Sequence, residues 1–402
     1  MQNNPSFRRH PLFPSSYSPV RGFGCRLPTR RAFLNACATG LCLLSAGEIL
    51  ALPGKAQAQS RRKGLIGAKL SPYFTRLSGT DIQCDLCPKR CRVAEGGRGV
   101  CGVRENRDGS YYSLVYGTPC AVNLDPIEKK PFFHVLPSTG SFSLATAGCN
   151  FRCLFCQNWE ISQVAPEEVF AYDFPPERIV AMAKEAGARS VAYTYVEPTV
   201  FFEYMLDTCR VARKAGLLNV CHSNGFISLV PLQDLCSVLD AANVDLKGFT
   251  AAFYRDLCAG ELAPVLEALK RLKQNRVHLE ITNLIIPSKN DDVATIREMC
   301  LWIKRELGAD TPVHFSRFYP LYKLRTLPPT PVAALERARA AALAAGLKFV
   351  YLGNIPGHEA ENTFCPRCAR LVIQRTGYMV GEVRLKNGAC ASCGQPIPGI
   401  WG

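Results

Sequence analysis

Phe142-Ser143-Leu144-Ala145-Thr146-Ala147-Gly148-Cys149-Asn150-Phe151-Arg152-Cys153-Leu154-Phe155-Cys156 passes from a short apolar run into a loop that presents three thiols at C-x3-C-x2-C spacing. The run at 142–146 opens a series in which short apolar strands alternate with amphipathic helices, the pattern of βα units on a parallel sheet. Further strands are predicted at 190–194, 218–222, 244–246, 278–285, 313–315 and 348–351. Helices are predicted between them at 176–186, 200–215, 264–274, 293–307 and 331–345. About six such repeats make an α/β fold with a partial (β/α)6 barrel, short of the eight that close a complete one. In that architecture chemistry sits at the C-terminal ends of the strands. The cysteine loop follows the first strand, Glu197 the second and Asn224 the third, and Asp245 and Lys247 stand at the fourth.

The composition fits this reading. A chain of 402 residues that is 48% hydrophobic and 20% charged can bury a large core in two or three domains, which excludes general disorder and a polytopic membrane protein. Its 48 basic and 33 acidic residues give +15, but residues 1–58 alone hold seven basic residues against one acidic. The remaining +9 is spread over 344 residues with no basic run longer than Arg61-Arg62-Lys63, so no nucleic-acid partner is expected. Residues 1–58 are rich in Pro, Ser and Arg; Thr29-Arg30-Arg31-Ala32-Phe33-Leu34, a modestly apolar stretch and Ala56-Gln57-Ala58 resemble a twin-arginine export signal. That stretch is too short and polar to span a membrane, so no integral span is expected. Export to the periplasm is the expectation from the leader alone.

Cysteine is the informative count: 20 residues, eleven of them in three tight groups. Pairs two or three residues apart are too close for ordinary disulfides but suit a metal, because a tight turn aims both thiolates at one point. Cys84, Cys87, Cys91 and Cys101 supply four ligands for Zn²⁺ or an accessory iron–sulfur cluster; spacing does not choose between them, and a structural metal that braces this segment against the barrel is the expectation. Cys365, Cys368, Cys390 and Cys393 read as a zinc-ribbon-like module, with a hairpin predicted from 378–380 and 383–385. That module is structural or a lid over the barrel mouth. The scattered Cys120, Cys209, Cys221, Cys236, Cys258 and Cys300 read as small buried hydrophobes. The predicted organisation is a leader at 1–58, a Cys-rich metal-binding segment at 59–135, the barrel at 136–355 and the zinc-ribbon-like module at 356–402.

The central group, Cys149, Cys153 and Cys156, stops at three. A cubane [4Fe–4S] cluster normally takes four cysteines, so one iron is left for a non-protein ligand. A structural zinc is the competing reading, and it lacks a nearby fourth ligand. The spacing, with aromatic Phe155 just before the last cysteine, resembles the radical S-adenosylmethionine (SAM) superfamily. The resemblance implies that SAM chelates the open iron and that reductive cleavage gives methionine and a 5′-deoxyadenosyl radical. It further implies that Glu197 receives the SAM amino group, that Lys247 of Asp245-Leu246-Lys247 approaches its carboxylate, that Phe155 flanks the adenine and that Asn224 contacts the sugar or carboxylate. Glu280, His314, Arg317 and Tyr319 are predicted on the opposite side of the mouth as substrate-facing or packing residues.

Longer strings narrow the match: Asp125-Pro126-Ile127-Glu128-Lys129-Lys130-Pro131, Cys156-Gln157-Asn158-Trp159-Glu160-Ile161-Ser162, His314-Phe315-Ser316-Arg317-Phe318-Tyr319-Pro320 and Tyr351-Leu352-Gly353-Asn354. From about Ile82 to Trp401 the chain resembles the AmmeMemoRadiSam radical SAM enzymes, relatives of pyruvate formate-lyase activating enzymes. Val196 departs from that pattern, which usually carries Asn there. The resemblance implies a radical SAM barrel, hydrogen abstraction from an undetermined substrate, Memo-like and AMME-type partner proteins, and an electron donor such as flavodoxin or ferredoxin. SAM chemistry implies the cytoplasm, against the leader. The alternative from another class is a non-catalytic iron–sulfur or zinc protein serving electron transfer or as a scaffold, which gives Glu197 and Lys247 no task.

Overall fold

The computed structural model describes residues 60–402, so the export-like leader lies outside the described residues. The alternating pattern folds as one eight-stranded sheet: β1 (Ala121–Pro126), β2 (Gly140–Ala145), β3 (Ser190–Tyr193), β4 (Leu218–Ser223), β5 (Ala241–Asp245), β6 (His278–Ile285), β7 (Val313–Arg317) and β8 (Val350–Gly353). Strands β2 to β8 are parallel and adjacent in chain order, while β1 pairs antiparallel with β2 at one edge. The crossovers carry α1 (Pro176–Glu185), α2 (Phe202–Lys214), α3 (Leu229–Cys236), α4 (Leu262–Gln274), α5 (Val293–Glu306) and α6 (Val332–Ala344). Six βα units followed by a seventh parallel strand therefore form the partial barrel.

Side-chain chemistry explains the layers. All four residues of β3 are buried, as are four of the five in β5, because helices cover one face and the barrel interior the other. Helix α5 buries Ile296, Met299, Cys300 and Ile303 at three- and four-residue spacing, and Asp292 caps it by accepting the Thr295 N–H. Each large apolar side chain so buried contributes about 1.5–3 kcal/mol. No helix among the described residues is long and apolar enough to cross a membrane.

Three elements differ from the sequence reading. Strand β1, placed by the sequence in the N-terminal segment, is the edge of the barrel sheet, held by a six-residue register with β2. Helix α3 was not predicted because Pro231 interrupts its pattern, yet Pro231 lies in the first turn, where a missing N–H costs nothing. The C-terminal hairpin pairs Leu371–Thr376 with Met379–Val383, not 378–380 with 383–385. Gly377, at φ +60°, makes the turn at little steric cost, and the predicted turn position, Gly381, lies within a strand. Upstream of β1, two small antiparallel sheets carry the first cysteine group: Phe74–Arg76 with Ile82–Cys84 and Arg92–Val93, and Lys69–Leu70 with Ser110–Ser113 and Arg104–Arg107.

Candidate functional site

The loop after β2 is shaped by Gly148. Its φ of +90° is unfavourable for other residues, and a Cβ there would lie 2.5 Å from Val103 Cγ1 and 2.8 Å from the Cys101 carbonyl oxygen. The loop then runs along the turn that ends in Cys258, with the Arg152 N–H bonded to Cys258 O at 2.9 Å and the Leu154 N–H to Leu257 O at 2.9 Å. Arg152 Nη1 also bonds Cys149 O at 2.7 Å. These bonds turn Cys149, Cys153 and Cys156 toward one open cavity of about 480 Å³ at the C-terminal ends of the strands. Burial pushes the Cys149 and Cys156 thiols above their usual range. A hydrogen bond with Cys258, together with burial, does the same for Cys153. Cys258, read from sequence as a small hydrophobe, is fully buried and stands behind Cys153, outside the cavity lining.

Glu197 follows β3 and lies on the cavity wall, 3% exposed. Its Oε1 accepts from the Thr199 N–H (3.0 Å), the Thr199 hydroxyl (2.6 Å) and the Ser223 hydroxyl (2.9 Å), and its Oε2 from the Asn224 N–H (2.7 Å). Each carboxylate oxygen has two lone pairs, and Oε2 takes a single donor, so one lone pair of Oε2 is free. Burial raises the Glu197 pKa, and the four donors work against that rise. Asn224 also lines the cavity, but its amide is engaged: Nδ2 donates to Asn150 Oδ1 at 2.8 Å and Oδ1 accepts the Phe226 N–H at 2.9 Å. It ties the ends of β2 and β4 together.

At the end of β5, Asp245 Oδ2 accepts from Lys247 Nζ at 2.7 Å and Oδ1 meets His222 Nε2 at 2.9 Å. Burial pushes the Asp245 pKa up, but the charges of Lys247 and His222 outweigh it and hold the carboxyl well below its usual range. Burial likewise opposes the Lys247 charge, and Asp245 keeps the ammonium ionised. Lys247 Nζ lies 6.0 Å from the ring centre of Phe155, which packs on Phe253 and lines the same cavity.

The opposite wall was only partly foreseen. His314 lines the cavity, but Glu280 does not: it is fully buried lower in the barrel, accepting from the Phe133 and His134 N–H groups at 3.1 and 2.8 Å and meeting His314 Nε2 at 2.6 Å. Arg317 bonds Thr330 O at 2.8 Å, and Tyr319 flanks an adjoining groove. The wall instead takes Lys129 and Lys130, from the turn after β1, and Tyr195. Both lysines bond Asp125, at 2.8 and 2.5 Å, the Tyr195 hydroxyl donates to Asp125, and Lys130 Nζ sits 4.0 Å over the Tyr195 ring. Burial lowers Lys130 to about 8. The string holding Asp125, Lys129 and Lys130 was visible in the sequence, but its long-range contact with Tyr195 was not.

Comparison with known proteins agrees with this geometry. The model of the radical SAM superfamily matches residues 143–300, from β2 through most of α5. An uncharacterized protein of Methanocaldococcus jannaschii, MJ0808, is 45% identical over 327 residues, which are 81% of this chain and 97% of that protein. This chain carries a radical SAM domain. Among solved structures, it is similar to a domain of pyruvate-formate lyase-activating enzyme from Bacteroides vulgatus, at 12% identity over 41% of this chain and 99% of that one (TM-score 0.37). It is also similar to Streptococcus suis SuiB bound to S-adenosylmethionine, at 12% identity over 58% and 53% of the two chains (TM-score 0.42).

A radical SAM domain implies a [4Fe–4S] cluster and SAM, and the donor set suits both. Three cavity-facing thiols leave one iron of a cubane for SAM, and burial that disfavours bare thiolates is offset when iron binds them. One carboxylate lone pair and one ammonium on the same wall match the opposite charges of the SAM amino acid end. Elsewhere in this radical SAM chain, Cys365, Cys368, Cys390 and Cys393 bring their sulfurs within 4.8 Å of one another, with Cys365–Cys393 at 3.5 Å and Cys368–Cys390 at 3.8 Å. A tetrahedral zinc with Zn–S near 2.3 Å needs sulfurs roughly 3.8 Å apart, so the module is zinc-ribbon-like in geometry. Its hairpin turn, Gly377 and Tyr378, reaches the rim of the barrel cavity.

Proposed function

We propose that this chain is an activating-enzyme-like member of the superfamily, of the AmmeMemoRadiSam kind, in which Cys149, Cys153 and Cys156 hold the [4Fe–4S] cluster and the substrate is a protein. The observation that carries the reading is the convergence on one cavity of three thiols, the Glu197 carboxylate and the Asp245–Lys247 pair. When bound, the reduced cluster and SAM supply a 5′-deoxyadenosyl radical that removes a hydrogen atom from the substrate. The chain's own residues bind and orient. Glu197, fixed by four donors, offers its remaining lone pair to the SAM ammonium. Asp245 holds Lys247 charged and aimed, leaving N–H groups for the SAM carboxylate. Phe155 supplies an apolar face, and Asn224 braces Asn150 beside Cys149.

Lys129, Lys130 and Tyr195 form the substrate side, and the Gly377-Tyr378 turn of the 356–402 module closes over the mouth and limits water. The first cysteine segment, through Cys101 and Val103 against Gly148, packs behind the cluster loop. The cavity is open at the barrel mouth, which suits a protein substrate and supports Memo-like and AMME-type proteins as partners, with flavodoxin or ferredoxin as donor. The test is to add such partner proteins to the reduced enzyme with SAM and measure 5′-deoxyadenosine. Stimulation by one partner supports a protein substrate; a rate that no partner changes refutes it.

A further inference from the structure

Cys84, Cys87, Cys91 and Cys101 line a second, smaller cavity of about 20 Å³, walled also by Leu86, Val100, Tyr111 and Val200. Two readings, zinc and an iron–sulfur cluster, differ in size. Zinc draws four sulfurs to roughly 3.8 Å, whereas a cubane, whose irons stand between the thiolates, holds them roughly 6 Å apart. The molecule contains its own calibration. Among the described residues, the C-terminal quartet is the one group whose ligand atoms all converge within 4.8 Å. The N-terminal four line one cavity without forming so tight a group, as is also true of Cys149, Cys153 and Cys156.

The walls of this second cavity are also built for a cluster. The Tyr111 side chain is fully buried and its hydroxyl has no hydrogen-bond partner. It ends beside Gly99, where a Cβ would lie 2.7 Å from the hydroxyl oxygen and 3.6 Å from Cys91 Sγ. A buried, unpaired O–H costs about 1–3 kcal/mol unless something in the cavity accepts it, and cluster sulfides and thiolates are such acceptors. The Val100 N–H already points to Cys91 Sγ at 3.4 Å. Arg104, 1% exposed, also lines the cavity, with its guanidinium turned to Glu203, Ser71 and the Val200 carbonyl.

We infer that Cys84, Cys87, Cys91 and Cys101 bind a second [4Fe–4S] cluster, fully ligated by protein, directly behind the SAM-cluster loop. Asn150, next to Cys149, lines this cavity, and the Cys101 carbonyl packs against Gly148, so the two sites share a wall.

The experiment is metal and sulfide analysis of the full chain purified anaerobically, with Mössbauer spectra, in three forms: unaltered, Cys149→Ala/Cys153→Ala/Cys156→Ala, and Cys87→Ser/Cys91→Ser. The expected result is about eight iron per unaltered chain and about four iron and four sulfide in the triple variant, each with one zinc. In the unaltered chain, reduction should give electron paramagnetic resonance signals broadened by coupling between two clusters. A triple variant without iron and with two zinc per chain overturns the inference. If instead the Cys87→Ser/Cys91→Ser protein loses all its iron and the triple variant loses none, this inference stands while the cluster proposed at Cys149, Cys153 and Cys156 fails. Should Cys87→Ser/Cys91→Ser fail to fold, the triple variant alone decides.

Discussion

Glu197→Gln keeps the shape of the side chain and removes its charge. In the native site Oε1 takes three donors and Oε2 one, and two of the four are backbone N–H groups, of Thr199 and Asn224. The hydroxyls of Thr199 and Ser223 can rotate to accept, but the backbone groups cannot. Whichever way the glutamine amide turns, its NH₂ faces one of those N–H groups, and a buried donor is left unpaired at about 1–3 kcal/mol. That cost falls on the fold and appears as a lower melting temperature. A separate loss falls on the ligand. A hydrogen bond between the SAM ammonium and a carboxylate contributes about 1.5–3 kcal/mol, which at 1.4 kcal/mol per factor of ten weakens SAM binding about 10- to 100-fold. Anaerobic equilibrium dialysis with labelled SAM reads the second quantity, and a thermal melt reads the first. A variant that melts earlier yet binds SAM within twofold of the native protein makes Glu197 a brace for Thr199 and Asn224 and refutes its assignment to the SAM amino group.

Three further outcomes are expected. Arg104 and Glu203 form a buried ion pair, 1% and 6% exposed, between the first cysteine segment and α2; Arg104→Ala should destabilise the fold by about 3–5 kcal/mol in denaturant titration, while Arg104→Met/Glu203→Leu should cost much less, and equal losses would contradict the account. Cys390→Ser should remove about one zinc per chain and make the 356–402 module protease-sensitive with barrel secondary structure kept, whereas unchanged zinc content would deny metal binding to that quartet. His134 is buried as a neutral imidazole that meets Pro398 O and the Tyr351 hydroxyl at 2.5 and 2.6 Å, and burial lowers its pKa to about 3. The unfolded imidazole takes a proton below about pH 6.5, so this contribution to stability is complete above that pH and falls by up to about 1.4 kcal/mol per unit between 6.5 and 3; His134→Gln should flatten the decline, and an unaltered slope would exclude His134 as its source.

What the sequence disclosed follows from where the physics is local. Strands β2 to β8 are buried on both faces and read as short apolar runs, and the helices between them carry regular buried stripes, so the barrel was legible. Strand β1 is an edge whose side chains are mostly half-buried or exposed, and it has no such run; its place depends on pairing with β2. The cysteine loop, Glu197, Asp245 and Lys247 were legible because each follows a strand end. His222 and Ser223 were not singled out, since their importance lies in touching Asp245 and Glu197 across neighbouring strands. Glu280, which sequence left between a substrate-facing and a packing role, proves to pack, because it lies near the start of β6, on the far side of the barrel from the loops. The contact of Asp125 and Lys130 with Tyr195 joins residues about 70 apart, which no local pattern encodes.

The central claim is that this cavity cleaves SAM. The direct measurement is anaerobic: reconstitute with iron and sulfide, reduce with dithionite, add SAM and quantify 5′-deoxyadenosine by mass spectrometry beside a Cys153→Ala control. The account predicts 5′-deoxyadenosine from the native chain and none above background from the control. A reduced cluster in the native chain that neither binds nor cleaves SAM would contradict it and favour an electron-transfer or scaffold protein.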